Sequence, residues 1–228
     1  MSGALIPPRL PPRYLIKLPV LCKPKSPLST RAGIGWTRNV SERGACVELA
    51  DVLPPGMPIC LCLHTDRGVI EAESLVAWSK DLRQEEGGIL HGFAFTRLSA
   101  SHMPILADLL LFKRKMREGG VRLPLDIAVT CEPDGLAESV SGRTTNLSRG
   151  GLLLRLHRRL PAMTALRLTL HAPTGPLRGK GLVVWTETVD TLQAGAPIPH
   201  GLRFTCLSWS SCMTLGLLLM APSYQIAW

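Results

Sequence analysis

Asn39-Val40-Ser41-Glu42-Arg43-Gly44 and Asn146-Leu147-Ser148-Arg149-Gly150-Gly151 are two copies of one pattern, Asn-x-Ser-x-x-Gly, and they lie 107 residues apart. The same offset carries Trp78 onto Trp185. Landmarks that recur in one order at one spacing are the signature of an internal repeat. The sequence therefore predicts two copies of one domain.

Chain length agrees with this duplication. A chain of 228 residues is long enough for two small domains, each with its own core. An offset of 109 carries Arg13 onto Arg122 and places both arginines near the start of a copy. We expect a first domain over residues 1–98, a connecting helix over 99–117, and a second domain with a C-terminal helix over 118–228.

Short strands dominate both copies. Alternating or continuous apolar segments bounded by Gly and Pro turns indicate strands at 15–22, 44–49, 58–64, 69–78 and 89–95, and at 126–131, 138–146, 152–156, 165–171, 180–187 and 199–205. This spacing favours a mainly β chain built from small barrels or sandwiches. Apolar residues at helical spacing from Ile105 to Phe112 predict the connecting helix, and Trp209 to Met220 is a weaker counterpart after the second copy.

Charge is unevenly distributed along the chain. The net charge is +9, and residues 1–110 carry 12 Lys and Arg against 10 Asp and Glu, while residues 111–228 carry 14 against 7. Such an excess indicates an anionic partner. Nucleic acid, a nucleotide, an anionic membrane surface and an acidic protein all satisfy this criterion.

The sequence carries few signs of redox, metal or membrane chemistry. Its seven cysteines include no Cys-x-x-Cys pair, so we expect free thiols in a reducing compartment and no metal site. The longest apolar run near the C-terminus, Leu215 to Met220, is too short to span a bilayer. The proline-rich residues 1–13 do not resemble a signal peptide, so we expect a cytoplasmic protein.

Catalytic signatures are lacking in the sequence. It shows no Gly-x-Ser-x-Gly, no phosphate loop and no carboxylate pair at an informative spacing. We therefore expect a protein that is not an enzyme and needs no cofactor.

Arginines precede the first strand of each copy. Arg9 and Arg13 stand four residues apart, and two guanidinium groups suit a phosphodiester because each presents a planar fork of donors. The same planes can stack on a purine. In the doubled pattern, Asn and Ser offer short donors and acceptors for a base edge. The Gly permits either a positive φ or a close backbone approach.

Taken together, these features resemble the PilZ domain: Arg-x-x-x-Arg, then Asn-x-Ser-x-x-Gly, a strand ending in Trp, and Gly-x-x-Phe before a helix. The resemblance covers nearly the whole chain as two domains in tandem. It implies two six-stranded antiparallel β-barrels joined by a helix, and many such bacterial domains are receptors for cyclic di-GMP. In the family the arginines close over the ligand, while the Asp or Asn and the Ser contact guanine.

Carried over to this sequence, the resemblance assigns a complete site to the first copy. Arg9 and Arg13 form the clamp, Asn39 and Ser41 contact the base, and Gly44 is the turn glycine.

The second copy departs from the family pattern at one position. Asn146, Ser148, Gly151 and Arg122 match it. Glu118 stands where the first clamp arginine belongs, and Arg117 is one place away. We expect weaker binding in this copy, or binding through Arg117.

Other residues shared by the two copies have a structural interpretation. Trp78 and Trp185 are expected in the barrel cores, as are Phe95 and Phe204. His91 and His200 are interpreted as strand-end residues rather than catalytic ones.

The predicted function is a non-enzymatic cyclic di-GMP receptor that relays binding by domain rearrangement to an unidentified protein partner. The alternative is a PilZ-like scaffold of pilus or motility machinery that binds no nucleotide, although such a scaffold has no reason to keep Arg-x-x-x-Arg. A third possibility, a nucleic-acid-binding barrel, fits the charge but lacks stacking aromatics, since the chain has only two Tyr and four Phe.

Overall fold

The computed structural model describes residues 11–25, 33–81, 88–115, 122–188 and 195–224. Within these ranges the strands are β1 (Pro19–Pro24), β2 (Gly33–Ser41), β3 (Gly44–Leu49), β4 (Pro58–Thr65), β5 (Gly68–Asp81), β6 (Ile89–Leu98), β7 (Leu123–Pro124), β8 (Ala128–Pro133), β9 (Val140–Ser148), β10 (Gly151–Leu156), β11 (Ala165–Ala172), β12 (Gly175–Thr186) and β13 (Ile198–Cys206). The helices are α1 (Met103–Lys115) and α2 (Trp209–Tyr224).

Two closed antiparallel barrels with identical topology account for these strands. The first has the order β1-β2-β3-β6-β5-β4 and closes where β1 pairs with β4. The second has the order β8-β9-β10-β13-β12-β11 and closes where β11 pairs with β8. The predicted fold class is therefore confirmed. The short strand β7 lies outside this set and pairs with β9.

Strand β2 is absent from the sequence-based prediction for the first copy. Gly33 and Gly35 weaken its β propensity, and a bulge at Arg38 interrupts its alternation. At Gly35 a Cβ would lie 2.1 Å from the carbonyl oxygen of Glu48, so the glycine permits β2 and β3 to approach each other closely.

Each helix closes one barrel core. Leu106, Leu109 and Leu110 of α1 belong to the apolar cluster inside the first barrel. Leu215 and Leu218 of α2 belong to the cluster of the second barrel. The residues directly before α1, predicted as helical from residue 99, instead form a turn, and residues 116 and 117 lie outside the described ranges.

Helix α2 also joins the two barrels. Trp36 of β2 is fully buried in the cluster of the second barrel, and its Nε1 donates to the carbonyl oxygen of Cys212 at 2.8 Å. Further along the helix, Met220 packs against Leu21 and Cys62 on the wall of the first barrel. The second helix therefore packs against strands of the first barrel as well as closing the second.

Trp78 and Trp185 lie outside the barrels, which corrects the prediction that they belong to the cores. They are 39% and 43% exposed. A Cβ added to Gly92 would fall 2.1 Å from Nε1 of Trp78, and Gly201 stands in the same relation to Trp185 at 2.0 Å. Each indole thus covers a glycine on the neighbouring strand. This packing is possible only because glycine has no side chain.

All seven cysteines are free thiols. Among the described residues, neither helix combines the length and the apolar character needed to cross a membrane.

Candidate functional site

Both copies of Asn-x-Ser-x-x-Gly form a two-residue hairpin turn on the barrel wall. Ser41 pairs with Gly44 across the turn from β2 to β3, and Ser148 pairs with Gly151 from β9 to β10. In each hairpin the serine Oγ donates to the glycine carbonyl oxygen, at 3.1 Å in the first copy and 3.0 Å in the second. The serine hydroxyl therefore stabilises the turn. In the second copy Ser148 Oγ also accepts from the backbone N–H of Gly150 at 3.3 Å, and a hydroxyl oxygen has two lone pairs for such contacts.

The motif glycines serve close packing rather than turn conformation. Neither Gly44 nor Gly151 has a positive φ, so of the two predicted reasons for glycine at this position the close backbone approach applies. A Cβ would lie 2.2 Å from the carbonyl oxygen of Phe93 at the first position, and 2.1 Å from that of Leu202 at the second. Glycine is required because the adjacent strand approaches too closely for any side chain.

The motif asparagines each present an unsatisfied acceptor. The Oδ1 atoms of Asn39 and Asn146 are buried, and neither has a hydrogen-bond partner among the described residues. Buried polar atoms are nearly always paired, so an orphan that recurs at the same position of two copies calls for an explanation. A ligand that donates a hydrogen bond to this oxygen would satisfy it.

The segment that carries the arginine lies beside the motif strand in both copies. Tyr14 and Val40 exchange two backbone hydrogen bonds of 2.9 Å, and Leu123 pairs with Leu147 in the same register. Antiparallel pairing then sets Arg13 opposite Ser41, with Arg122 at the equivalent place in the second copy.

A threonine fixes this segment, and sequence reasoning did not find it. The hydroxyl of Thr37 accepts from the backbone N–H of Leu18 at 2.8 Å and donates to the carbonyl oxygen of Ile16 at 2.5 Å. Thr144 repeats both bonds, with Ile127 as donor and Leu125 as acceptor. Thr37 and Thr144 are themselves 107 residues apart, so the internal alignment contained the signal.

Three residues relevant to the predicted clamp lie outside the described residues. They are Arg9, Arg117 and Glu118. Of the predicted clamp arginines, the structure therefore describes one for each copy, Arg13 and Arg122, and both are exposed.

The outer faces beside the two motifs differ sharply. On the first barrel, Trp36 pairs with Glu48, whereas Arg143 pairs with Arg155 at the equivalent place on the second. A cavity of about 400 Å³ lies against Arg143 and Arg155 and extends to Thr145, next to Asn146. At this pair of positions the first face thus carries an indole and a carboxylate, whereas the second carries two guanidinium groups beside an open cavity.

A residue of the second motif occupies the first face. Both terminal nitrogens of Arg149 lie 3.3 Å from Oε2 of Glu48, and its Cζ lies 5.4 Å from the centre of the Trp36 ring. Arg38 Nε contacts the same oxygen at 3.3 Å, and the backbone N–H of Gly88 donates to Oε1 at 3.1 Å. Burial alone would raise the pKa of Glu48, but this hydrogen bond and the two guanidinium groups outweigh it and lower the pKa.

The paired histidines hold loops in place. Nε2 of His91 accepts from the backbone N–H of Leu53 at 3.0 Å, and Nε2 of His200 accepts from that of Leu160 at 3.0 Å. Both rings are fully buried, and burial lowers the pKa of each. These contacts require the neutral ring, so both histidines have a structural role.

No group of three or more His, Cys, Asp or Glu side chains in the described part of the chain is arranged to hold a metal ion. The candidate site therefore consists of the two hairpins, the arginine segments beside them and the surrounding charges.

Comparison with protein-family models gives a match to the second half of the chain. The family model described as PilZ domain matches residues 113–220, a range that includes Arg117, Arg122 and the whole second motif. No curated protein is significantly similar to this chain in sequence.

Several solved structures resemble the chain at low identity. The inhibitor of motility MotI/DgrA of Bacillus subtilis is 12% identical, with 92% of this chain and 97% of that chain covered and a TM-score of 0.40. The complex of K. pneumonia MrkH with c-di-GMP is 13% identical, with 92% and 88% covered and a TM-score of 0.39. Borreliella burgdorferi PlzA in complex with c-di-GMP is 12% identical, with 89% and 88% covered and a TM-score of 0.41.

Proposed function

We propose that this chain is a non-enzymatic receptor for cyclic di-GMP, because residues 113–220 match the model of the PilZ domain, a family that includes cyclic di-GMP receptors. In this proposal each barrel offers one binding surface, made of the motif hairpin and the arginine segment beside it.

The orphan asparagine oxygen is the observation that carries the proposal. Guanine has N–H donors on its Watson–Crick edge, and the buried Oδ1 atoms of Asn39 and Asn146 are acceptors without a partner among the described residues. A guanine bound on the hairpin would satisfy this oxygen in either copy. The recurrence of the orphan atom in both barrels supports a retained binding role over an accident of packing.

The position of the arginine supports a clamp on the ligand. Arg13 and Arg122 are exposed and stand in register with the motif serines, so a guanidinium could reach a phosphate whose guanine lies on the hairpin. Arg9 would supply the second fork in the first copy, and Arg117 would do so in the second. The first copy has the complete pattern and should bind more tightly, because Glu118 repels phosphate in the second.

Binding would be relayed through the packing of the barrels. A ligand shifts a conformational equilibrium only by its differential affinity for the two states. The first motif lies on the strand that carries Trp36, and Trp36 contacts the second barrel. A change at this strand would therefore reach the interface directly and alter the surface offered to a protein partner.

Isothermal titration of the whole chain with cyclic di-GMP tests the proposal. We expect saturable binding that weakens at least tenfold in Arg13→Ala and less in Arg122→Ala. Arg167→Ala is the matched control, because Arg167 lies on β11, which carries no motif residue, and pairs with exposed Glu132 of β8. An absence of binding by the folded wild-type chain would overturn the receptor function and favour the scaffold alternative.

A further inference from the structure

Where the two barrels meet, the positively charged side chains outnumber the negatively charged ones. Two guanidinium groups, Arg38 and Arg149, share a single carboxylate oxygen of Glu48. Lys17 is close enough to both for them to lower its pKa, in addition to the larger effect of burial. Three cations thus lie near one anion. Glu48 is 2% exposed and Arg149 is 16% exposed, while Arg38 and Lys17 are exposed to solvent.

This cluster borders the first motif and contains part of the second. Arg38 directly precedes Asn39 and stands at the bulge in β2. Arg149 belongs to the hairpin turn between Ser148 and Gly151 in the second barrel. The cluster is therefore where the turn of the second motif meets β2 and β3, the strands that flank the first motif.

The positions of these charges in the two copies are not interchangeable. The counterpart of Arg149 in the first copy is Glu42, and the counterpart of Glu48 in the second copy is Arg155. The second copy thus extends an arginine to a carboxylate of the first, and the first copy has no equivalent arginine to extend to the second.

From this asymmetry we infer that Arg38 and Arg149 are phosphate-binding residues of the first-copy site, and that Glu48 is a built-in competitor that occupies them when no ligand is bound. The inference rests on the proposed receptor function. It makes the first-copy site a shared one, because one of its cations comes from the second barrel.

The geometry gives the exchange a physical basis. A phosphate oxygen and a carboxylate oxygen offer guanidinium groups the same kind of charge-assisted hydrogen bond. Arg38 is 47% exposed, so its side chain can turn toward a ligand on Asn39 without crossing a packed core. Glu48 would keep its hydrogen bond from the backbone of Gly88 after the arginines leave it.

Titrations of Arg149→Gln and Glu48→Gln with cyclic di-GMP separate this role from a purely structural one. Both substitutions break the ion pair between the barrels, so a structural role would change affinity in the same direction for both. We expect opposite directions: a loss of about tenfold in Arg149→Gln and a gain of about threefold or more in Glu48→Gln. Arg167→Gln removes the same charge elsewhere and should leave the affinity unchanged.

The outcomes are distinguishable from failure of the receptor function itself. If the wild-type chain binds and both variants weaken together, or neither changes, the inference is overturned while the receptor function stands. If the folded wild-type chain and Glu48→Gln both fail to bind, the receptor function falls, and this inference falls with it. Circular dichroism spectra and thermal unfolding establish that each variant is folded before it is titrated.

Discussion

The backbone N–H of Leu18 donates to the hydroxyl of Thr37 at 2.8 Å. The same bond recurs between Ile127 and Thr144 in the second barrel. One threonine in each copy therefore anchors the segment that follows the arginine to the strand that carries the motif.

Replacing Thr37 with Val should weaken both the fold and the site. The variant keeps the shape but leaves the N–H of Leu18 without its acceptor in a buried position, which costs about 1–3 kcal/mol. Urea denaturation measures this loss as a lower midpoint. Thr205→Val, at an exposed position of β13, is the control and should unfold like the wild type. A Thr37→Val protein with unchanged stability and unchanged affinity for cyclic di-GMP would contradict the anchoring role.

Alanine at Gly44 or Gly151 should destabilise the barrels by about 1–3 kcal/mol, because the new Cβ would collide with a backbone carbonyl that cannot turn aside. Gly150→Ala provides a control within the same hairpin. Its φ is not positive, and the nearest atom to a new Cβ is 4.0 Å away. Thermal unfolding of the three variants should therefore separate Gly150→Ala from the other two. Equal melting temperatures would show that the strands can move apart at little cost.

Stability should fall as the pH decreases from about 7 to about 5. Burial lowers the pKa of His91 and His200, and that of His64 to about 4. Below about pH 6.5 the unfolded chain takes up protons that the folded chain does not, so the free energy of unfolding decreases until the folded-state pKa is reached.

Urea midpoints measured across this pH range test the linkage. The double variant His91→Gln/His200→Gln should show a shallower decrease than the wild type, with His64 accounting for part of what remains. His171→Gln, at an exposed position, is the control and should keep the full decrease. If the double variant declined as steeply as the wild type, the two buried rings would not be the source.

Phenylalanine at Trp36 should loosen the contact between the barrels. The change removes the hydrogen bond to the carbonyl oxygen of Cys212, at a cost of about 1 kcal/mol, and leaves that oxygen to find another donor. Hydrogen exchange should report faster opening at the start of α2. Trp78→Phe is the control, because it alters an exposed indole. If the amides of α2 exchanged equally fast in the two variants, the role of Trp36 would be contradicted.

Most of the architecture could be predicted because the chain contains two different sequences that adopt the same fold, and each supports the strand prediction for the other. Strand β2 was missed because its two glycines and its bulge remove the alternation that marks a strand. The indoles of Trp78 and Trp185 were misplaced because the glycines that they cover lie on a different strand. Such packing depends on register, which no local pattern specifies.

The sequence was least informative about the ion pair between the barrels. Glu48 and Arg149 are separated by 101 positions and belong to different copies. Their meeting depends on how two finished barrels pack, and internal alignment hides it, because the alignment matches Arg149 with Glu42 and Glu48 with Arg155. The motif residues were found because a repeat exposes what both copies share. The interface is made of residues that the copies do not share.

Because Trp36 of the first barrel is buried under α2 of the second, the two halves of the chain depend on each other for their packing. Separated from the second half, the first half would expose the indole of Trp36, and also Leu21 and Cys62, as apolar surface prone to aggregation. An artificial chain with the two halves in reversed order would need a new linker that still allows α2 to cover Trp36. The two copies of the domain are therefore no longer interchangeable within the chain.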